Sequence, residues 1–139
     1  MKQSVDILNL AKLIKDAFID IPRPRITRSV ASAFDDEWNL SDKRINDLSK
    51  LDREQSWEDV TDDDIKNSQS YFSFSDDEGW RFYLPAHMMF YLRHFPDCPW
   101  DAVYYACTQT NPKFGLLNFQ QRFAVQSFLN EIHRHEKGS

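Results

Sequence analysis

Ile7, Ala11, Ile14 and Phe18 recur at intervals of four, three and four, with Leu10 and Ala17 widening the stripe. This pattern predicts an amphipathic helix over residues 4–19 that leaves Lys12, Lys15 and Asp16 outside. Ile21-Pro22-Arg23-Pro24-Arg25 ends it as a basic elbow, because two prolines hold the backbone extended and withhold amide donors. A short helix is predicted from Thr27 through Phe34, and another over about 41–51, capped by Ser41 with Ile45, Leu48 and Leu51 on one side. Trp57 should pin a turn. Thr61, followed by Asp62, Asp63 and Asp64, reads as an N-cap with three carboxylates in a first helical turn, where the helix dipole favours negative charge.

The longest apolar stretch lies between Ser75 and Phe95. Tyr71–Phe74 alternates too briefly to make a strand with a satisfied ladder and is expected to be a connector. Ser75 followed three residues later by Glu78 fits a capping box, so the central helix should start at Asp76. Pro85 lacks an amide, and its ring clashes with the carbonyl four residues earlier; a kink or break is therefore expected, giving helices over about 76–83 and 85–95. Pro99 suits the first position of a helix through about Cys107, with Trp100, Val103, Tyr104 and Cys107 facing in. After a loop at residues 111–115, Asn118 with Gln121 can cap a last helix to about Arg134, in which Val125, Phe128, Leu129 and Ile132 form the stripe. Phe119 and Phe123 fall at another azimuth, which predicts first turns enclosed on two sides. The sum is an all-α fold of five to seven helices around a proline-kinked central helix, forming a single domain over residues 1–139, with an α+β arrangement carrying a small hairpin as the alternative.

Composition agrees with a globular chain: 41% of residues are apolar, 28% charged and 14% aromatic. Three glycines are too few for a chain of tight β-turns or for a glycine-rich phosphate loop. No continuous apolar segment follows Met1, and the apolar run from Trp80 to Leu92 is shorter than the roughly 20 residues a membrane span needs, so a soluble, cytoplasmic protein is expected. Cys98 and Cys107 would stand ~13 Å apart on a helix starting at Pro99, beyond the ~7 Å a disulfide allows, and should be free thiols.

Charge is uneven. Residues 1–34 carry a net +3, residues 35–64 a net −8 and residues 65–139 none, which gives −5 for the chain. A solvated face is the ordinary explanation of the acidic third; the functional one is a docking surface for a basic protein partner, with Asp35, Asp36, Glu37 and Asp42 as its binding residues. Nucleic acid is not expected as a partner, because no clustered basic surface is visible beyond Arg23, Arg25 and Arg28.

Catalytic and metal signatures are weak. His87 and His94 are two helical turns apart, ~10.5 Å, too far to share a metal unaided; His133 and His135 point to opposite sides, and no CxxC, HxxxH or HExxH pattern occurs, so neither metal nor cofactor is expected. Cys98 or Cys107 paired with a histidine has no local signature. Asp62–Asp64 and Asp76–Glu78 lie where helix starts want negative charge. Arg81 and His87 stand out because they interrupt an apolar run. Either they satisfy backbone carbonyls freed near Pro85 or an acidic neighbour, or with Tyr83 they line a ligand pocket there.

The segment Trp80-Arg81-Phe82-Tyr83-Leu84-Pro85-Ala86-His87-Met88-Met89-Phe90 resembles a family of small uncharacterised bacterial proteins marked by an aromatic-Tyr-Leu-Pro-Ala core. Ala17-Phe18 before Ile21-Pro22-Arg23-Pro24, the turn at Trp57 and the run from Gln121 to Leu129 are similar as well, so the resemblance spans nearly the whole chain. In this chain Asp76-Asp77 replaces the family's prolyl helix start. The resemblance implies a single domain and no known activity. The expectation is a non-enzymatic interaction module of inhibitor, immunity or adaptor type; the alternative is a small-molecule binder or enzyme with a pocket near Pro85.

Overall fold

The computed structural model describes residues 2–37, 39–94, 101–108 and 115–137, and only the backbone of residues 2–6, 101–102 and 135–137. Among the described residues it contains eight α-helices, one 3-10 turn and no strand. They are α1 (Lys2–Ala17), α2 (Arg28–Asp36), α3 (Asp42–Ser49), the 3-10 turn Trp57–Asp59, α4 (Asp62–Lys66), α5 (Tyr71–Phe74), α6 (Asp77–His94), α7 (Asp101–Thr108) and α8 (Phe119–Lys137).

Helix α6 is the axis. Twelve of its eighteen residues are buried, so it is apolar all round and enclosed by α1, α4, α7 and the 3-10 turn. The expected break at Pro85 does not occur: α6 is one continuous helix with Pro85 inside it. A proline in a helix interior costs about 3 kcal/mol, whereas each large apolar side chain buried from this helix contributes about 1.5–3 kcal/mol, so packing overrides the local penalty. Its start is also shifted. The cap is Asp76, whose Oδ1 accepts from the Gly79 amide at 2.9 Å, in place of a Ser75–Glu78 box.

Around this axis α1 and α8 pack antiparallel, with Gln121 Nε2 donating to the Ala17 carbonyl at 3.1 Å. The same glutamine closes the expected box with Asn118, through mutual bonds of 2.8 and 3.0 Å. Thr61 and Asp64 form another at the start of α4, and the Ser41 hydroxyl caps α3. Trp57 is buried and donates its indole N–H to the Phe18 carbonyl at 2.7 Å, which ties the 3-10 turn to the end of α1. Asp20, at φ 59°, turns the chain out of α1; a short polar side chain tolerates that left-handed conformation.

Four further expectations are corrected. Tyr71–Phe74 is a single helical turn rather than an extended connector, its first two rings buried against α6. Leu51 is 68% exposed because α3 ends at Ser49, before the residue can join the Ile45–Leu48 stripe. Tyr104 is half-exposed, and Ala106 takes the inner position with Val103 and Cys107. Phe119 and Phe123 are 85% and 54% exposed, because they lie off the buried stripe of Val125, Phe128, Leu129 and Ile132 on α8. The helix start at Pro99, the inward Trp100, Cys98, His135 and the loop residues 111–114 lie outside the described residues or side chains.

Candidate functional site

Local sequence does not cap α2. The Thr27 hydroxyl, at its N-cap position, makes no cap bond, and its Oγ1 is buried without a hydrogen-bond partner. The first amides of α2 are met from elsewhere in the chain. Asp52 accepts from the Ser29 amide at 2.9 Å and the Ser29 hydroxyl at 2.7 Å, while the Tyr83 hydroxyl of α6 accepts from the Arg28 amide at 3.4 Å. Asp52 thus places a carboxylate at the positive end of the helix dipole from 23 residues away.

Arg28 joins these groups. Its Nε and Nη2 form a two-pronged bond to Glu54, at 2.7 and 3.0 Å, and the guanidinium lies 3.4 Å from both Asp52 and Asp64. Tyr83 donates to the same Glu54 carboxylate at 2.7 Å. The side chains of Asp52 and Glu54 are each 2% exposed, so their charge is carried almost entirely by this network. Arg23, between the two prolines of the elbow, holds the loop by donating to the carbonyls of Ser49, Asp52 and Glu54 at 2.6, 2.7 and 2.8 Å.

Burial by itself raises a carboxyl such as Glu54, but the hydrogen bonds from Arg28 and Tyr83 and the Arg28 charge outweigh it, and the group sits below the usual carboxylate range. Burial likewise works against the Arg28 cation, yet the facing carboxylates push its pKa up and keep it charged. Burial first and the Glu54 charge second push the Tyr83 phenol up, so it remains a donor. In front of the network is a cleft of about 210 Å³ between α2 and the α4–α5 segment, walled by Arg28, Ser29, Ser32, Asn67, Ser70 and Phe74 among others.

The residues singled out by sequence are dispersed. Tyr83 belongs to the buried network. His87 is fully enclosed, its ring edge-on to Phe72 at 4.7 Å and its Nε2 without a hydrogen-bond partner; desolvation pushes it down to about 3. The cavity beside it measures about 10 Å³, the room of about one water, and neither Arg81 nor Tyr83 is in its wall. Arg81 is half-buried with Nε lacking a hydrogen-bond partner.

Of the acidic set, Glu37 pairs with Arg44 at 2.8 Å and Asp42 with Arg25. Asp35 and Asp36 are exposed at the end of α2 and make no ion pair among the described residues. Much of the acidic third is spent inside the fold on the basic first third: Arg25–Asp42, Lys15–Glu58, and Arg28 with Asp52, Glu54 and Asp64. Asp62 binds Arg93 and His94, the latter at 2.7 Å, and docks α4 on the end of α6. Cys107 is a buried free thiol that desolvation pushes up, and no group of three metal-ligating side chains occurs among the described residues.

Sequence reasoning missed Arg28, Asp52 and Glu54. Their partners are 23 to 29 residues apart, a separation that no helical or strand period encodes. Two signals were present: two carboxylates in a short segment between helices, and a tyrosine within the most apolar helix, which needs a partner for its hydroxyl.

The geometry defines an all-α protein built on one continuous central helix, with a buried arginine–carboxylate–tyrosine cluster behind a small polar cleft. The chain belongs to a family of unknown function, DUF6714, whose family model matches residues 6–139. No curated protein and no solved structure matches it.

Proposed function

We propose that the protein is a non-enzymatic interaction module whose partner is a basic protein, docking at the acidic end of α2. The observation that carries this reading is the placement of Asp35 and Asp36. Other acidic runs, Asp62–Asp64 and Asp77–Glu78, stand at helix starts and stabilise them. Asp35 and Asp36 stand in the last turn of α2, against the negative end of its dipole, with no basic residue in that turn. Such a placement costs about 0.3–1 kcal/mol per charge, and no ion pair among the described residues offsets it. A local rule broken on an exposed edge is what a surface kept for a partner looks like.

Among the described residues, the buried groups capable of acid–base chemistry are neutral or already paired, which fits the non-enzymatic half. His87 and Cys107 are buried in their neutral forms, and Glu54 is saturated by Arg28 and Tyr83. The test is affinity capture from the native host with the wild type and with an Asp35→Asn/Asp36→Asn variant, at low and raised salt. A partner retained at low salt by the wild type and lost by the variant is the expected result. Equal retention by both proteins would sink the reading.

A further inference from the structure

The cleft at the other end of α2 has chemistry of its own. We infer that it is a binding site for one small, neutral, polyhydroxylated ligand of single sugar-ring size.

Charge selects against the obvious alternative. An arginine in a cleft suggests an anion, but Arg28 already faces Glu54, Asp52 and Asp64, three carboxylates against one cation. An incoming phosphate or carboxylate would meet a surplus of negative charge. The guanidinium nevertheless keeps donors to offer. Nε and Nη2 are taken by Glu54, while Nη1 has only the 3.4 Å ion pair with Asp64 and makes no hydrogen bond among the described residues. What remains is a directional donor on an overcompensated cation, suited to a neutral oxygen acceptor.

The rest of the wall agrees. The Ser32 and Ser70 hydroxyls and the Asn67 amide make no hydrogen bond within the described residues, and each can both donate and accept. A ligand hydroxyl has the same dual capacity, which a carboxylate, an ammonium or a hydrocarbon lacks. Tyr71 and Phe74 also line the cleft, giving it aromatic surface beside its polar groups, and Phe74 is 36% exposed. That is a surface for the C–H face of a sugar ring. A cavity of about 150 Å³ takes a benzene ring, so a volume of about 210 Å³ has room for one ring.

The site is preformed, so binding carries little ordering cost. Ser29 is fixed by two bonds to Asp52, and the Tyr71 hydroxyl donates to the Ile26 carbonyl at 2.5 Å. The acidic end of α2 takes no part, so this site and the proposed protein partner stand or fall separately.

The experiment is a titration of ¹⁵N-labelled protein, followed by amide shifts, with glucose, galactose, ribose and inositol, and with acetate, inorganic phosphate and methylammonium as charged probes. The expected result is saturable shifts at Ser32, Asn67 and Ser70 with at least one neutral compound at millimolar concentration, and weaker or no shifts there with the charged probes. Ser32→Trp and, separately, Ser70→Leu fill the cleft from exposed positions and leave the core untouched. Each should weaken that compound's binding by about tenfold or more while circular dichroism and Tm stay at wild-type values. Three results overturn the inference: no neutral compound shifts these amides, phosphate, acetate or methylammonium binds there more tightly than every sugar, or both folded variants bind the sugar as the wild type does.

Discussion

The Tyr83 hydroxyl and the Glu54 carboxylate meet at 2.7 Å, phenol donating, across 29 residues of sequence, and the same phenol oxygen accepts from the Arg28 amide at 3.4 Å. One hydroxyl therefore ties the central helix to both the start of α2 and the loop that charges it. Tyr83→Phe keeps the ring and removes both bonds. Because a hydrogen bond to a charged group contributes about 1.5–3 kcal/mol, the variant should lose about that much stability in urea denaturation with an unchanged slope. A loss within error of zero would mean that Arg28 alone satisfies Glu54.

Arg28 should matter more. Arg28→Met leaves Asp52 and Glu54 buried without their cation, a situation that costs about 3–5 kcal/mol. Arg28→Lys should recover little of it, since an ammonium cannot make the two-pronged bond to Glu54. Combining Arg28→Met with Glu54→Gln removes one of the stranded charges, and the double variant should be clearly more stable than the sum of the two single losses. Strict additivity would show that the two side chains do not act as a pair.

His87 gives the acid limb of stability a distinct onset. Its folded value is pushed down to about 3 by desolvation, against about 6.5 when unfolded, so below pH ~6.5 the unfolded chain takes up a proton that the folded one refuses. Stability is complete above that pH and falls by up to about 1.4 kcal/mol per pH unit until the folded ring itself titrates. Glu54 acts in the same direction but only lower: its folded value is depressed, so its contribution is lost below the ordinary carboxylate range. His87→Leu should flatten the upper part of the limb and leave the lower part in place, as read from urea midpoints across pH. An unchanged upper limb would place the responsible proton elsewhere.

The helices and the site differed in how far sequence revealed them because they depend on interactions of different range. Capping is local, so Thr61 with Asp64 and Asn118 with Gln121 could be read three residues apart, as could the stripe from Val125 to Ile132. Where tertiary packing overrides a local preference, the reading failed: Pro85 continues α6 because its surroundings bury the helix, and Phe119 lies exposed because it falls off the buried stripe of α8. Asp52 looked like one acid among twelve in its third of the chain, and only the fold brings it to the Ser29 amide. Arg81 and His87 stand out in the sequence because they interrupt an apolar run. Tyr83 and His87, four residues apart on one face of α6, both pack on α5, against Tyr71 and Phe72, but only Tyr83 also reaches Glu54.

Gly79 offers a test of that packing in which helix propensity and tertiary contact predict opposite signs. It lies in the first turn of α6, where Gly→Ala ordinarily stabilises a helix by up to about 1 kcal/mol. A Cβ at this position would overlap the Tyr71 hydroxyl and stand 3.1 Å from its Cζ. Tyr71 cannot yield cheaply: its hydroxyl donates to the Ile26 carbonyl, and its ring packs on Tyr83 at 4.5 Å between centroids. Overpacking of this kind costs about 1–3 kcal/mol, and the displaced hydroxyl would leave a buried carbonyl unsatisfied. Gly79→Ala should therefore destabilise the protein. In a Tyr71→Phe background, where the overlapping oxygen is gone, the same substitution should cost clearly less. A stabilising Gly79→Ala in the wild type would show that α5 does not press on the start of α6 as described.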